Sequence, residues 1–280
     1  MINLIGVCIF NSVEVVRQTI PILLNAPGLP THFALIYNHP PDPDKKILKF
    51  LRKLAKRDER VVVCIPEKNL GCHNGINYAW KQKINGQYKY SNFFKVDDDV
   101  LVPSGFDIPM AKVNEAKQVG YSVLACTAEQ QNESVVRREI NGVEVDVAEG
   151  GCLSFNVMAV SNESRKILGD LGCHYALASG GTRKIVSDNE RLYGGEEAHY
   201  AQEARKNKLH ICKVLSPISE HLGNEHRDPD YVLWKYAYGY LGSIDCELKE
   251  FKADKELVDR EFVKYATFLR SHGIEIGDRV

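Results

Sequence analysis

Three consecutive carboxylates, Asp97-Asp98-Asp99, follow the apolar run Phe93-Phe94-Lys95-Val96, and hydrophobic residues resume at Val100. Side chains alternate along an extended chain, so Asp97 and Asp99 are expected on one side and Asp98 on the other. Two carboxylates on one side suit a hard divalent cation such as Mg²⁺ or Mn²⁺, which takes oxygen ligands. Without a cation they repel each other, and such a cluster at a buried strand end is costly. A solvated acidic turn is the other reading, but the strand ahead is too apolar for a surface edge.

Four further groups have chemistry in their spacing. Asn69-Leu70-Gly71-Cys72-His73-Asn74-Gly75-Ile76-Asn77 follows an apolar run and opens a helix. A glycine there lets ligand phosphates approach the backbone, and the helix start offers free N–H groups; the same glycines also serve plain helix packing. Tyr193-Gly194-Gly195-Glu196-Glu197 sets two carboxylates at a helix start. A partly desolvated Glu beside a metal site is a general base towards a hydroxyl, although the helix dipole favours acids at that place in any protein. Ser216-Pro217-Ile218-Ser219-Glu220-His221 puts an imidazole after a strand, where it either completes a metal site or lies on the surface. Gly150-Gly151 leads into Cys152-Leu153-Ser154-Phe155, and paired glycines entering a strand permit close approach of a substrate.

The elements that must position these groups alternate in type. Strands are expected over 4–10, 33–37, 61–65, 93–96, 122–127, 151–160 and 211–215. Helices are expected over 13–24, 44–57, 72–82, 109–119, 162–171 and 196–207. The β-α-β-α-β-α-β order at the start argues an α/β fold with a mostly parallel sheet and helices on both faces. Ligands of such sheets bind outside the carboxyl ends of the strands, where the groups above fall. After Asn224 the character changes: 229–240 is aromatic-rich and 252–270 reads as an amphipathic helix. The expected organisation is a catalytic domain over 1–222 and a helical C-terminal extension over 223–280, packed on the core.

Composition narrows the class. With 280 residues, 44% hydrophobic and 26% charged, the chain has the make-up of a globular protein able to bury a core without disulfides. A formal net charge of −1 argues against non-specific nucleic-acid binding as the main role. The eight cysteines form no C-x-x-C pair and lack the spacing of a zinc site, so they read as small buried hydrophobes in a reducing compartment. Met1 to Phe10 has no basic stretch or small-residue cleavage site and reads as a first strand. No run approaches the roughly 20 apolar residues of a membrane helix, so the expectation is a soluble, cytoplasmic protein with no transmembrane segment.

The order and spacing of these groups resemble those of family 2 and related inverting glycosyltransferases of the A-type fold, over about residues 1 to 222. The resemblance implies a single Rossmann-like nucleotide-sugar-binding domain. Phe10-Asn11-Ser12 is similar to the loop that packs on the nucleotide. Asn38 stands where the family often has an acid reading the base. Asn69, Gly71, Gly75 and Asn77 resemble the N-x-G-x-x-x-G-x-N helix start, with Ile76 where the family often has arginine. Asp97-Asp98-Asp99 matches the D-x-D motif. This implies that Asp99 binds metal, that Asp97 contacts metal or nucleotide, and that Asp98 belongs to the same donor site. Gly150-Gly151 resembles the start of the acceptor-side strand. Glu196-Glu197 matches the acidic pair whose second member is the base, and Glu196 would hold the acceptor. Glu replaces the usual Asp at 197, so the base lies between Glu196 and Glu197. His221 matches the metal-binding histidine.

The activity so implied is transfer of a hexosyl or pentosyl group from a nucleoside-diphosphate sugar, expected to be a UDP-sugar, to an acceptor hydroxyl with Mn²⁺ or Mg²⁺ and inversion. The cation neutralises charge growing on the leaving group, and Glu197 takes the acceptor proton. A sugar-phosphate nucleotidyltransferase is one alternative; its G-T-R letters occur here only at Gly181-Thr182-Arg183, far from the first strand. A non-catalytic nucleotide- or carbohydrate-binding protein is another, and would need neither the acidic triplet nor the carboxylate pair. The acceptor reads as a surface glycan or a hydroxymethylated base in phage-type DNA. The second is motivated by the basic run from Lys45 to Arg57 and by Arg137-Arg138, a run that also reads as a solvated helix face.

Overall fold

The computed structural model describes residues 2–10, 13–38, 44–67, 70–87, 89–127, 134–150, 153, 156–172, 196–222, 229–234, 237, 243–244, 246 and 248–271. The chain divides into two compact units, Met1–Leu222 and Gly223–Val280.

In the first unit the chain runs β1 (Asn3–Ile9), α1 (Val13–Asn25), β2 (Thr31–Tyr37), α2 (Lys45–Arg57), β3 (Val61–Cys64), α3 (Gly71–Trp80), β4 (Asn92–Val96), β5 (Val100–Leu101), α4 (Asp107–Asn114) and β6 (Val119–Cys126). It continues through β7 (Val135–Ile140), β8 (Val143–Ala148), β9 (Val157–Ser161), α5 (Asn162–Leu168), α6 (Glu196–Lys206) and β10 (His210–His221). The sheet order is β3-β2-β1-β4-β9-β6-β10-β8-β7, with β5 on the far end of β10. β3, β2, β1, β4, β6 and β10 point one way, and β9 runs against its neighbours β4 and β6. The sheet is thus mostly parallel in direction, with helices on both faces.

Strand alternation sorts the core into two layers. Ile5, Val7 and Ile9 of β1 and Phe33, Leu35 and Tyr37 of β2 pack with Val16 and Ile20 of α1 and Ile47 and Leu51 of α2. Leu4, Ala34 and Ile36 face the other way, in one layer with Ile76, Ala79 and Trp80 of α3, and the same layer continues to Tyr121 of β6 and to Tyr200, Ala201 and Ala204 of α6. α3 lies close on β1: a Cβ built on Gly75 would stand 2.2 Å from Cys8 Sγ, so this glycine is required by packing.

Several expected boundaries shift for local reasons. α4 stops at Asn114 instead of reaching 119, because Val119 pairs with His210 as the first residue of buried β6. α5 stops at Leu168 where Gly169, at φ 80°, returns its N–H to Arg165 O. The expected strand over 151–160 is the shorter β9, whose last residue Ser161 caps α5 by accepting from Ser164 N at 3.0 Å. Gly150 follows β8, and β9 begins at Val157. β5 and the β7–β8 hairpin had no counterpart among the expected strands.

The second unit contains α7 (Pro229–Trp234), α8 (Leu248–Ala253) and α9 (Lys255–Ser271). The single helix expected over 252–270 is broken at Asp254, whose carboxylate accepts from Leu257 N at 3.0 Å and starts α9. Phe251 is fully buried, and Trp234 Nε1 donates to Cys246 O at 2.8 Å. Glu261, 1% exposed, accepts from Ser243 Oγ at 2.9 Å and Lys264 Nζ at 2.6 Å.

Candidate active site

The acidic triplet sits at the carboxyl end of β4, beside the end of β1. β4 stops at Val96, and Asp98-Asp99 form a turn before β5. The extended-chain alternation expected for the three carboxylates therefore does not apply to them; each is oriented by its own partner. Asp97 Oδ1 lies 2.8 Å from Lys95 Nζ, an ammonium 3% exposed inside the sheet. Asp98 is 6% exposed, and its Oδ2 accepts from Phe10 N at 2.8 Å. The Asp98 carbonyl accepts from Thr19 Oγ1 of α1 at 2.6 Å. The turn is thereby tied to the loop after β1 and to α1 at once. Asp99 points to His221, with Oδ1 3.3 Å from Nε2.

β10 brings His221 there. From His210 to Val214 it runs parallel to β6; the register then shifts, and Ser219 resumes opposite Cys126. Beyond the shift Glu220 and His221 pair antiparallel with Leu101 and Val100 of β5. Ser219 Oγ donates to Ala125 O at 3.0 Å, and Leu222 N donates to Asp99 O at 2.8 Å. One strand thus stitches the far part of the sheet to the acidic turn.

Among the described residues no three His, Cys, Asp or Glu side chains gather as a ready-made metal cage. The Asp99–His221 pair alone nevertheless suits a divalent cation. One carboxylate oxygen and one imidazole nitrogen, with side chains 14% and 18% exposed, are donor chemistry that Mn²⁺ accepts. Cations that work on phosphates take only one or two carboxylates and fill their remaining positions with phosphate oxygens and water.

Other expected contacts are committed to the backbone. Asn38, expected against the base, is 1% exposed; it donates to Gly71 O at 3.0 Å and accepts from Leu70 N at 2.7 Å. It fixes the start of α3, where Gly71 has φ 73°. Asn77 donates to Leu171 O at 2.7 Å and accepts from Leu171 N at 2.8 Å, clamping α3 to the segment after α5. Arg137, a candidate phosphate contact, pairs with Asp146 at 2.9 Å across the hairpin. A Cβ on Gly150 would meet nothing within 4 Å. Asn11, Asn69 and Gly151 lie outside the described residues. Glu196 and Glu197 open α6, and their side chains lie outside what is described. α6 itself is anchored: Tyr200 Oη donates to Gly169 O at 2.9 Å, and His199 Nδ1 accepts from Gly172 N at 3.0 Å.

Two residues with roles at the turn, Lys95 and Thr19, were absent from the sequence candidates. A lysine between Phe94 and Val96 in an apolar strand was the available signal: a buried ammonium needs a carboxylate. Thr19 in an amphipathic helix carried none. Among the described residues no helix is long and apolar enough to cross a membrane.

No family model matches the chain, and no curated protein matches it. Solved structures do. GalNAc-T7 with UDP, GalNAc and Mn²⁺ matches with a TM-score of 0.57 at 11% identity, over 78% of this chain and 43% of that one. The chain therefore spans less than half the length of that protein. The mannosyltransferase PcManGT from Pyrobaculum calidifontis, in complex with GDP-Man and Mn²⁺, matches with a TM-score of 0.53 at 10% identity, over 92% of this chain and 68% of that one. S. aureus TarS 1-349 matches with a TM-score of 0.52 at 14% identity, over 98% and 74%. At such identities the likeness speaks for architecture, and the architecture of this chain is the A-type glycosyltransferase fold.

Proposed function

We propose that the chain is an inverting glycosyltransferase that moves a sugar from a UDP-sugar to an acceptor hydroxyl with a divalent cation. The observation that carries this reading is the meeting of Asp99 and His221, 3.3 Å apart, at the carboxyl edge of the sheet. This is the edge where open α/β sheets bind ligands. Neighbours of the same fold hold UDP or GDP-Man together with Mn²⁺, which supports a nucleoside-diphosphate sugar and a metal here.

In this reading Asp99 and His221 hold the cation, and when bound it supplies Lewis-acid neutralisation of the diphosphate leaving group. Asp98 fixes the Phe10 backbone, so the loop after β1 and the acidic turn present one preorganised surface to the nucleotide. Lys95 holds Asp97 at the rim of the same surface. Glu197, at the start of α6, takes the acceptor proton during in-line attack at the anomeric carbon, and Glu196 holds the acceptor. One carboxylate base without a carboxylate nucleophile gives inversion. The acceptor is a surface glycan or a hydroxymethylated base in DNA.

The test is a panel of nucleotide sugars against candidate acceptors, hydroxymethylated duplex DNA included, with Mn²⁺ or Mg²⁺. Release of nucleoside diphosphate and the mass of the product are read together. A sugar-sized mass gain with an inverted anomeric centre is expected. Retention at that centre would overturn the mechanism. Absence of donor turnover across the panel, with no metal-dependent donor binding, would overturn the transferase reading.

A further inference from the structure

α2 carries a charge pattern that the donor site does not use. It holds seven of the chain's 36 lysines and arginines and none of its 37 aspartates and glutamates. The rest of the chain, with 29 basic against 37 acidic residues, is net −8. All seven α2 cations are exposed, and among the described residues none of them forms an ion pair. Lys45, Lys49, Arg52, Lys53 and Lys56 line the exposed side of the helix, with half-buried Leu48 at its margin. A molecule that is net acidic has thus collected an unneutralised positive field on one helix.

The pattern around the helix is ordered. At about 100° per residue, the seven cations fall within an arc of about 140°, while the hydrophobic residues of α2 occupy the opposite side. Arg52 marks one flank; Lys46 and Arg57 mark the other. From Lys45 to Arg57 the ridge is about 18 Å long. It begins at the carboxyl edge of the sheet, where Asp44 N donates to Oη of Tyr37, the last residue of β2.

Three observations choose the partner. First, the apolar side of α2 is spent on the core, with Ile47 4% and Leu51 0% exposed, so the helix has no free face to bury in a lipid interface. Second, a plane laid on a convex ridge meets only its crest, whereas the cations of α2 spread to both flanks. A grooved polyanion with phosphates on two sides meets them all. The B-DNA major groove is about 12 Å wide, close to the roughly 10–12 Å diameter of a helix, and about 18 Å of duplex axis carries about ten phosphates. Third, the one aromatic of α2, Phe50, is half-buried with Arg17 above its ring at 6.0 Å, so the ridge lacks the open aromatic platform on which single-stranded bases stack.

We propose that the exposed face of α2 is a docking ridge for double-stranded DNA, held through phosphates on both sides of a groove. This rests on α2 alone and not on the transferase reading, so its test requires no donor and no turnover.

The experiment uses the full chain and a fluorescent 24-base-pair duplex, with anisotropy read across 50–200 mM salt. Neutralising five to seven phosphates gives a slope of log K against log salt between about −4.5 and −6.3, so a fourfold rise in salt weakens binding by about 500-fold or more. Lys49→Glu/Arg52→Glu/Lys53→Glu/Lys56→Glu, whose four positions are exposed, is expected to lose at least 100-fold at 50 mM salt and to keep the far-UV dichroism of the parent. A milder set with Gln at the same four positions (Lys49→Gln/Arg52→Gln/Lys53→Gln/Lys56→Gln) covers the case of misfolding, and Lys112→Glu/Lys117→Glu, exposed elsewhere, should bind as the parent does. No duplex binding at 50 mM salt, or binding untouched by the quadruple variant and the Gln set, would overturn the proposal. So would equal affinity for a single strand with the same number of phosphates. Capture by phosphatidylserine–phosphatidylcholine vesicles in place of the duplex would reassign the ridge to a membrane surface.

Discussion

Asp98→Ala tests whether the middle carboxylate is a brace or a ligand. Its Oδ2 accepts from Phe10 N at 2.8 Å with the residue 6% exposed. A hydrogen bond to a charged acceptor contributes about 1.5–3 kcal/mol, and losing it leaves a poorly hydrated N–H behind. For a unit of this size about 2–4 °C of melting temperature goes with each kcal/mol, so a drop of about 3–12 °C is expected. Asp98→Asn keeps an oxygen in place and should lose about 1 kcal/mol. Urea and thermal unfolding of both variants, beside calorimetric titration of a UDP-sugar with Mn²⁺, separate the roles. A brace gives a melting loss in Asp98→Ala and near-parent donor affinity in Asp98→Asn. An unchanged melting temperature in Asp98→Ala, or Asp98→Asn that melts normally yet no longer binds donor, would refute the brace.

Asp99→Ala should abolish metal-dependent donor binding, and His221→Ala should weaken metal affinity while nucleotide still binds in excess Mn²⁺; titrations as tight as the parent's would remove the pair from the site. Glu197→Gln should lower kcat by about 10²–10⁴ with donor affinity kept, whereas Glu196→Gln should raise the acceptor KM more than it lowers kcat. The reversed pattern would make Glu196 the base. Burial pushes the Glu261 carboxyl up, but hydrogen bonds from Lys264 and Ser243 and the Lys264 charge outweigh it and hold the group below its ordinary value. Its folded pKa is below its unfolded one, so its stabilisation is present above the unfolded value and is lost as pH falls through the folded one. Glu261→Gln should therefore flatten the acid limb of the stability curve in urea unfolding; an identical pH dependence in parent and variant would refute the assignment.

The first half of the fold was legible because β1, β2 and β4 are apolar runs buried on both faces and β3 is a short apolar run at the sheet edge, all set between helices with a clear hydrophobic side. The β7–β8 hairpin was missed although it carried a signal. Asn141-Gly142, at φ 51° and 75°, is the two-residue turn that such hairpins favour, and Val143-Glu144-Val145-Asp146-Val147 alternates after it. The charges of an edge hairpin hid both. β5 has two residues and exists only because β10 reaches it, which no local pattern announces. In the site, residue types were readable and their partners were not. Asn38 and Asn77 have the right chemistry for a ligand, but their amides are matched atom for atom to Leu70, Gly71 and Leu171. Which donor meets which acceptor depends on contacts 32 to 94 positions apart in the chain.

The passage of β10 from β6 to β5 also sets an order of events during synthesis. Asp99 and His221 are 122 positions apart, so a ribosome adding about 5–20 residues per second needs about 6–25 s between them. Throughout that interval β1 to β4 and their helices have their own chain available, whereas the acidic turn has neither β10 beside it nor the imidazole. Closing so long a loop is compensated only by contacts that arrive with the last strand. The first unit therefore completes its site last, and a nascent chain halted before Ser219 holds most of the sheet and none of the closure around Asp99.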